Sequence, residues 1–185
     1  MGFNLCALWW QRCFVTMSRQ QNPEASFNVF CDTVAAAGKA DEIWAVLHKL
    51  AETTVPCRLF TVMTIDNKNQ LARRAYSSDM KNYPVSGTKP IHRDRWFSIV
   101  HDEKRTFVAN TISDIATVFP DFELIKSLGC GAVINLPVVL RGQLAATINL
   151  LDAEQAYTPE LVAQAESRLR FPAMLAVLAA AQFTE

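Results

Sequence analysis

Hydrophobic positions change their period along this chain, and each change marks an element. Phe27, Phe30, Cys31 and Val34 fall at i, i+3, i+4 and i+7, behind the helix-start signal Asn22-Pro23-Glu24 and ahead of Gly38, which predicts a first helix. Ile43, Val46, Leu47 and Leu50 give a second helix that ends before Pro56. The period then drops to two: Cys57 to Ile65 and Gln70 to Ser77 read as strands joined by a turn at Asn67 to Asn69. Two strands in direct succession make a meander, not a βαβ unit.

The clearest pattern lies between Leu128 and Asp152, LGCGAVINLPVVLRGQLAATINLLD. Two apolar runs, Ala132 to Leu140 and Leu144 to Leu151, flank the turn Arg141-Gly142-Gln143 and predict a hairpin. Side chains alternate across a strand. One face therefore carries Ile134, Leu136, Val138 and Leu140 with Leu144, Ala146, Ile148 and Leu150, and is wholly apolar. The other carries Asn135, Thr147 and Asn149 among Val and Leu. A register slip by one residue would mix the two rows, which disfavours it.

From Asp79 to Ser127 the pattern is irregular, with a helix expected at Asp94 to Asp102, a strand at Thr106 to Ala109 and a helix near Ser113 to Val118. Excursions of this length within a compact domain tend to carry function. A last helix opens at Thr158-Pro159-Glu160, and Pro172 is expected to kink it. The order of elements predicts an α+β fold: a mainly antiparallel sheet of five or six strands, with the N- and C-terminal helices covering the apolar hairpin face. The excursion must then cross the opposite face, and a pocket forms between it and Asn135, Thr147 and Asn149.

These segments resemble the GAF domain, a small-molecule sensing fold related to PAS. The resemblance spans roughly Asp41 to Phe183 and rests on CRLFTVMTID, NQLARRAYSS and FVANTISDIATVFPDF, and above all on the hairpin followed by YTPE. Within the hairpin the carriers are Leu128-Gly129, the Asn135-x-Pro137-Val138 run and the Ala146-x-x-Asn149-Leu150-Leu151 run. The resemblance implies a ligand pocket beneath the excursion and a homodimer built through the terminal helices. The chain departs from each subtype. Cyclic-nucleotide binders carry Asn-Lys and adjacent Asp-Glu, whereas Asn110 precedes Thr111, and Asp121 and Glu123 are not adjacent. Bilin binders carry an Asp-Ile-Pro motif and a nearby cysteine; Asp114-Ile115-Ala116 lacks the proline, and no cysteine lies between Cys57 and Cys130. Free methionine-R-sulfoxide reductases need two pocket cysteines, and Cys130 has no neighbour in sequence.

Composition narrows the function further. With 18 basic and 18 acidic residues the net charge is zero, so there is no electrostatic footprint for nucleic acid. Five scattered cysteines without a CxxC pair read as reduced thiols in a cytoplasmic protein. His48, His92 and His101 have no ligand spacing, so no metal site is expected. The apolar stretch Phe3 to Val15 is interrupted by Gln11-Arg12 and too short to cross a membrane. Residues 1–22 read as an extension with Met17 as a candidate natural start, and residues 23–185 as one GAF-like domain. The expected ligand-binding set is Tyr83, His92, Trp96, Asn110, Phe119, Cys130, Asn135, Thr147 and Asn149, with no catalytic residue. Asn135 and Asn149 each need a partner, from loop backbone or from a ligand, because an unpaired polar group in an apolar strand costs about 1–3 kcal/mol. The expected function is a non-catalytic small-molecule sensor with no assigned cofactor. A thiol-dependent reductase and a ligand-free dimerisation scaffold are the alternatives.

Overall fold

The computed structural model describes residues 23–183, and the expectations for the N-terminal extension and its start lie outside them. Six strands form one antiparallel sheet: β1 (Leu59–Asp66), β2 (Leu71–Ser77), β3 (Thr88–Pro90), β4 (Phe107–Ala109), β5 (Ala132–Leu140) and β6 (Gln143–Asp152). Their order across the sheet is β3-β2-β1-β6-β5-β4. The first and last strands therefore pair at its centre, and the chain between them supplies both edges. Helices α1 (Pro23–Ala36), α2 (Ala40–Thr54) and α5 (Pro159–Ala180) cover one face. Their apolar sides meet Phe60 and Val62 of β1 and the even-numbered hairpin row Ile134, Leu136, Val138, Ala146, Ile148 and Leu150.

Two bulges break the simple alternation. In the hairpin, Val138 pairs with Ala146 but Val139 pairs with Leu144, so Ala145 is an extra residue. Leu144, expected on the helix side, is thereby turned to the core on the opposite face of the sheet. In β2 the extra residue is Ala75: Val62 pairs with Tyr76, and Met63 with Arg74. Tyr76 packs towards the helices, whereas Arg74, two residues away, faces the other side.

The excursion contains three features that differ from expectation. Thr88–Pro90 adds an exposed edge strand, too short and too polar to show a period. The turn at Phe97–Asp102 is a π-helix, closed by Glu103 N–H donating to Ser98 O at 3.0 Å. After α3 (Ile112–Ala116), a further helix, α4 (Phe122–Ser127), leads to the hairpin. The last helix, α5, continues through Pro172, which is buried and offers no N–H to the carbonyl of Arg168.

The glycines before and after β5 have separate roles. Gly129, at φ +73°, closes α4 in a Schellman arrangement: its N–H donates to Lys126 O at 2.9 Å and Cys130 N–H donates to Ile125 O at 3.2 Å. The hairpin turn is the two-residue pair Arg141-Gly142, both at positive φ, and Gln143 already pairs with Leu140. A Cβ on Gly142 would meet nothing within 4 Å, whereas one on Gly129 would sit 3.1 Å from Arg58 Nη1. Arg58 is held there because its Nε donates to Asp152 Oδ1 at 2.7 Å. Gly142→Ala is thus expected to cost only the left-handed backbone penalty, about 1–2 kcal/mol. Gly129→Ala should cost more, and urea unfolding of both variants measures the difference; an equal loss would contradict this account of Gly129.

Candidate functional site

The face of the sheet away from α1, α2 and α5 is roofed by the excursion, and a cavity of about 260 Å³ lies between the two. The strands contribute Thr61, Met63 and Ile65 from β1, Ala72 and Arg74 from β2, Val133 and Asn135 from β5, and Thr147, Asn149 and Leu151 from β6. The edge strand β3 adds Lys89 and Pro90, and the roof contributes Tyr83, Ile91, His92, Asp94 and Trp96, with Ile115, Phe119, Asp121 and Ile125 around α3 and α4. Most of this lining is apolar, with a few polar groups converging on it, the usual composition of a small-molecule site.

The asparagines take no partner from loop backbone; they bond to each other. Asn135 and Asn149 are direct cross-strand partners, and Asn135 Nδ2 donates to Asn149 Oδ1 at 2.7 Å. Asn149 Nδ2 donates to Thr61 Oγ1 at 3.1 Å, and the Trp96 indole Nε1 donates to Asn135 Oδ1 at 3.0 Å. The indole can only donate, which fixes the direction of the whole relay. It ties the roof to three central strands.

At the other end of the cavity Tyr83, Arg74 and Asp121 form a second cluster. The Tyr83 hydroxyl donates to Asp121 Oδ2 at 2.6 Å, and the Arg74 guanidinium lies 3.7 Å over the Tyr83 ring. Burial, reinforced by the hydrogen bond to Asp121, pushes the Tyr83 phenol well above its ordinary pKa. The same Asp121 oxygen stands 3.8 Å from Arg74 Nη2, and Arg74 Nη1 donates to Pro84 O at 2.8 Å. Arg74 Nε has no hydrogen-bond partner among the described residues, and neither has the buried Thr147 Oγ1. Both residues line this cavity.

Of the residues singled out in the sequence, Tyr83, His92, Trp96, Phe119, Asn135, Thr147 and Asn149 are brought together around the cavity. Asn110 and Cys130 are not. The Asn110 amide is engaged with Tyr157: its Nδ2 donates to Tyr157 O at 2.7 Å, and its Oδ1 accepts from Tyr157 N at 3.2 Å. It latches the start of α5 to the end of β4. Cys130 is buried in the core behind the cavity wall, beside Leu59, Ile125 and Val133. Sequence reasoning missed Arg74, Asp121 and Thr61. Only one of Arg73 and Arg74 could face the cavity, and the unseen bulge at Ala75 selects Arg74.

The described thiols suit packing, not nucleophilic chemistry. Cys31, Cys57 and Cys130 are unpaired, and none lines the cavity. Burial, with the charge of Asp152 adding to it, pushes the Cys130 thiol up to about 11; burial pushes Cys57 up to about 12. A reactive thiol needs the opposite setting. No cluster of His, Cys, Asp and Glu suited to a metal ion occurs among the described residues.

Both thiols hold their protons more firmly in the folded chain than at the ordinary value of 9.0, so their contribution is complete below pH 9 and is lost as the pH rises towards 11 and 12. The urea midpoint should fall from pH 9 upward, and fall less in a Cys57→Ala/Cys130→Ala double variant; an identical fall would contradict the assignment. Trp96→Phe leaves Asn135 Oδ1 without its donor and should destabilise the fold by about 1–3 kcal/mol in urea unfolding, with no loss contradicting a structural role for the relay.

No protein-family model and no curated protein matches the chain. Solved structures do. The chain is similar to the GAF domain of a two-component sensor histidine kinase from Bacillus halodurans, at 12% identity and a TM-score of 0.64, over 80% of this chain and 100% of that one. It is similar to the GAF domain of a phosphoenolpyruvate-protein phosphotransferase from Coxiella burnetii, at 14% identity and a TM-score of 0.61, over 89% of this chain and 98% of that one. A GAF domain/HD domain protein from Geobacter sulfurreducens aligns at 12% identity and a TM-score of 0.61, over 81% of this chain and 97% of that one. At such identities the likeness lies in the architecture, and with its six-stranded antiparallel sheet, helices on one face and a roofed cavity on the other, the chain has the GAF-domain fold.

Proposed function

We propose that this domain is a non-catalytic regulatory module that binds a small organic molecule in the cavity between the sheet and the excursion. The observation that carries this reading is the cavity itself, largely apolar, with Asn135, Asn149, Thr147, Tyr83 and Arg74 converging on it. Its volume lies near the lower end of ligand pockets, which suits a compact molecule. The relay from Trp96 to Thr61 gives a bound molecule a route to the rest of the fold, since anything that displaces Trp96 strains a bond to the central strands. The GAF-fold neighbours from a sensor histidine kinase and a phosphotransferase support a sensing role.

The reading extends to a homodimer through the terminal helices. Val29 on α1 and Phe171 and Leu178 on α5 are large apolar side chains left 59%, 63% and 51% exposed, which a second copy would cover. The unpaired thiols Cys31, Cys57 and Cys130 suit a cytoplasmic setting, and no helix among the described residues is long and apolar enough to cross a membrane.

Two measurements test the proposal. A thermal-shift screen of metabolites should yield compounds that raise the stability of the wild type, by about 2.7 kcal/mol at a hundredfold excess over Kd. The same compounds should lose that effect in Met63→Trp, where a larger side chain fills the cavity; stabilisation of both proteins alike would overturn the site. Sedimentation should show a dimer that Phe171→Glu converts to monomer, and a monomeric wild type would remove the dimer from the account.

A further inference from the structure

The asparagines that attract attention in the sequence are each partly spent in the relay, Asn135 and Asn149 both using one amide N–H and one oxygen lone pair. Two other buried polar atoms are spent on nothing. Arg74 Nε and Thr147 Oγ1 are the buried side-chain polar atoms without a hydrogen-bond partner among the described residues, and both belong to the cavity wall. Leaving such atoms unpaired is costly, and although both are closed off in the cavity as it stands, a small turn of either side chain would bring it to a guest's polar group.

Their placement is set by strand register. Arg74 of β2 pairs with Met63 of β1, and Met63 pairs in turn with Thr147 of β6. The three residues form one row across neighbouring strands, and adjacent strands are about 4.8 Å apart, so Arg74 and Thr147 are separated by roughly 10 Å at the backbone. The apolar Met63 lies between them. A molecule lying along this row meets a cation at one end, an apolar middle and a hydroxyl at the other end.

The charges around the cavity sort in the same sense. Asp121 is engaged by the Tyr83 hydroxyl and Asp94 by the backbone N–H of Phe97, at 2.6 and 2.8 Å. The cations keep donors to spare. Among the described residues the Arg74 guanidinium, with five N–H donors, gives one hydrogen bond, to Pro84 O, beside a long ion pair with Asp121 at 3.8 Å and its place over the Tyr83 ring at 3.7 Å. Lys89, which also lines the cavity, makes no ion pair among the described residues.

Size fixes the remaining dimension. A 150 Å³ apolar cavity accommodates benzene, so by proportion about 260 Å³ holds roughly ten non-hydrogen atoms. We propose that the ligand is a small carboxylate with an apolar middle and a hydrogen-bonding group at its far end, the carboxylate accepting from Arg74 and the far group bonding to Thr147. This inference rests on the cavity being a binding site and goes beyond it by naming the ligand's polarity and orientation.

A charge series on one skeleton tests it. Calorimetric titration with 4-hydroxyphenylacetate, 4-hydroxyphenylacetamide and tyramine compares anion, neutral and cation, and phenylacetate removes the far hydroxyl. The anion should bind the wild type at least about tenfold more tightly than the amide, as befits a charge-assisted hydrogen bond, and tyramine should bind most weakly. Arg74→Gln should abolish the preference for the anion over the amide. Thr147→Val, which is nearly isosteric and removes an unpaired buried hydroxyl, should fold as stably as the wild type. It should also erase the advantage of 4-hydroxyphenylacetate over phenylacetate. If the amide or tyramine binds as well as the anion, or if none of the series binds while other compounds occupy the cavity, the carboxylate assignment falls and the binding site stands. If no compound of any class binds and Met63→Trp changes nothing, both fall.

Discussion

A directional chain of hydrogen bonds, from the Trp96 indole through Asn135 and Asn149 to Thr61, holds the cavity side of this fold together. Each link uses a group that would otherwise be an unpaired polar atom in an apolar sheet, so the relay is enforced by the cost of breaking it. Because the indole donates and cannot accept, the two amides have one arrangement that satisfies all three bonds. The consequence is mechanical: the start of the π-helix is fixed over the central strands, and the space left beneath the roof is the cavity.

The sheet's own asymmetry makes this possible. Even-numbered hairpin positions are buried against α1, α2 and α5, while the odd-numbered row carries the polar groups. The two bulges then adjust that scheme locally. One turns Leu144 into the core on the cavity side, and the other brings Arg74 into the cavity wall while leaving Tyr76 among the helices. A bulge is a cheap way to re-aim a side chain without moving a strand. Here it places a cation opposite the polar row, and the cavity acquires two chemically different ends.

Alternation made the hairpin, its faces and the side of the cavity legible in the sequence, because a period of two leaves few choices once one face is wholly apolar. The bulges were not legible. An extra residue changes the face of everything beyond it, but Ala75 and Ala145 are small apolar residues that look like ordinary strand positions. Arg74 was therefore undecided against Arg73, and Leu144 was placed on the wrong side. Asn110 looked like a pocket residue because it sits in the excursion, yet a tertiary partner 47 residues away, Tyr157, claims its amide. Cys130 drew attention as a thiol between glycines; those glycines serve a helix cap and a close approach to Glu154, and the thiol is packing.

The relay can be observed directly through its own protons. In ¹⁵N NMR spectra the Trp96 indole N–H and the side-chain amides of Asn135 and Asn149 are distinct from the backbone, and their hydrogen exchange reports whether the bonds persist. The account predicts an indole proton protected from exchange and close in space to the Asn135 side chain. A Trp96 indole that exchanges as fast as one in solvent would show that the roof is not tied to the sheet, and would contradict the structural basis of the site.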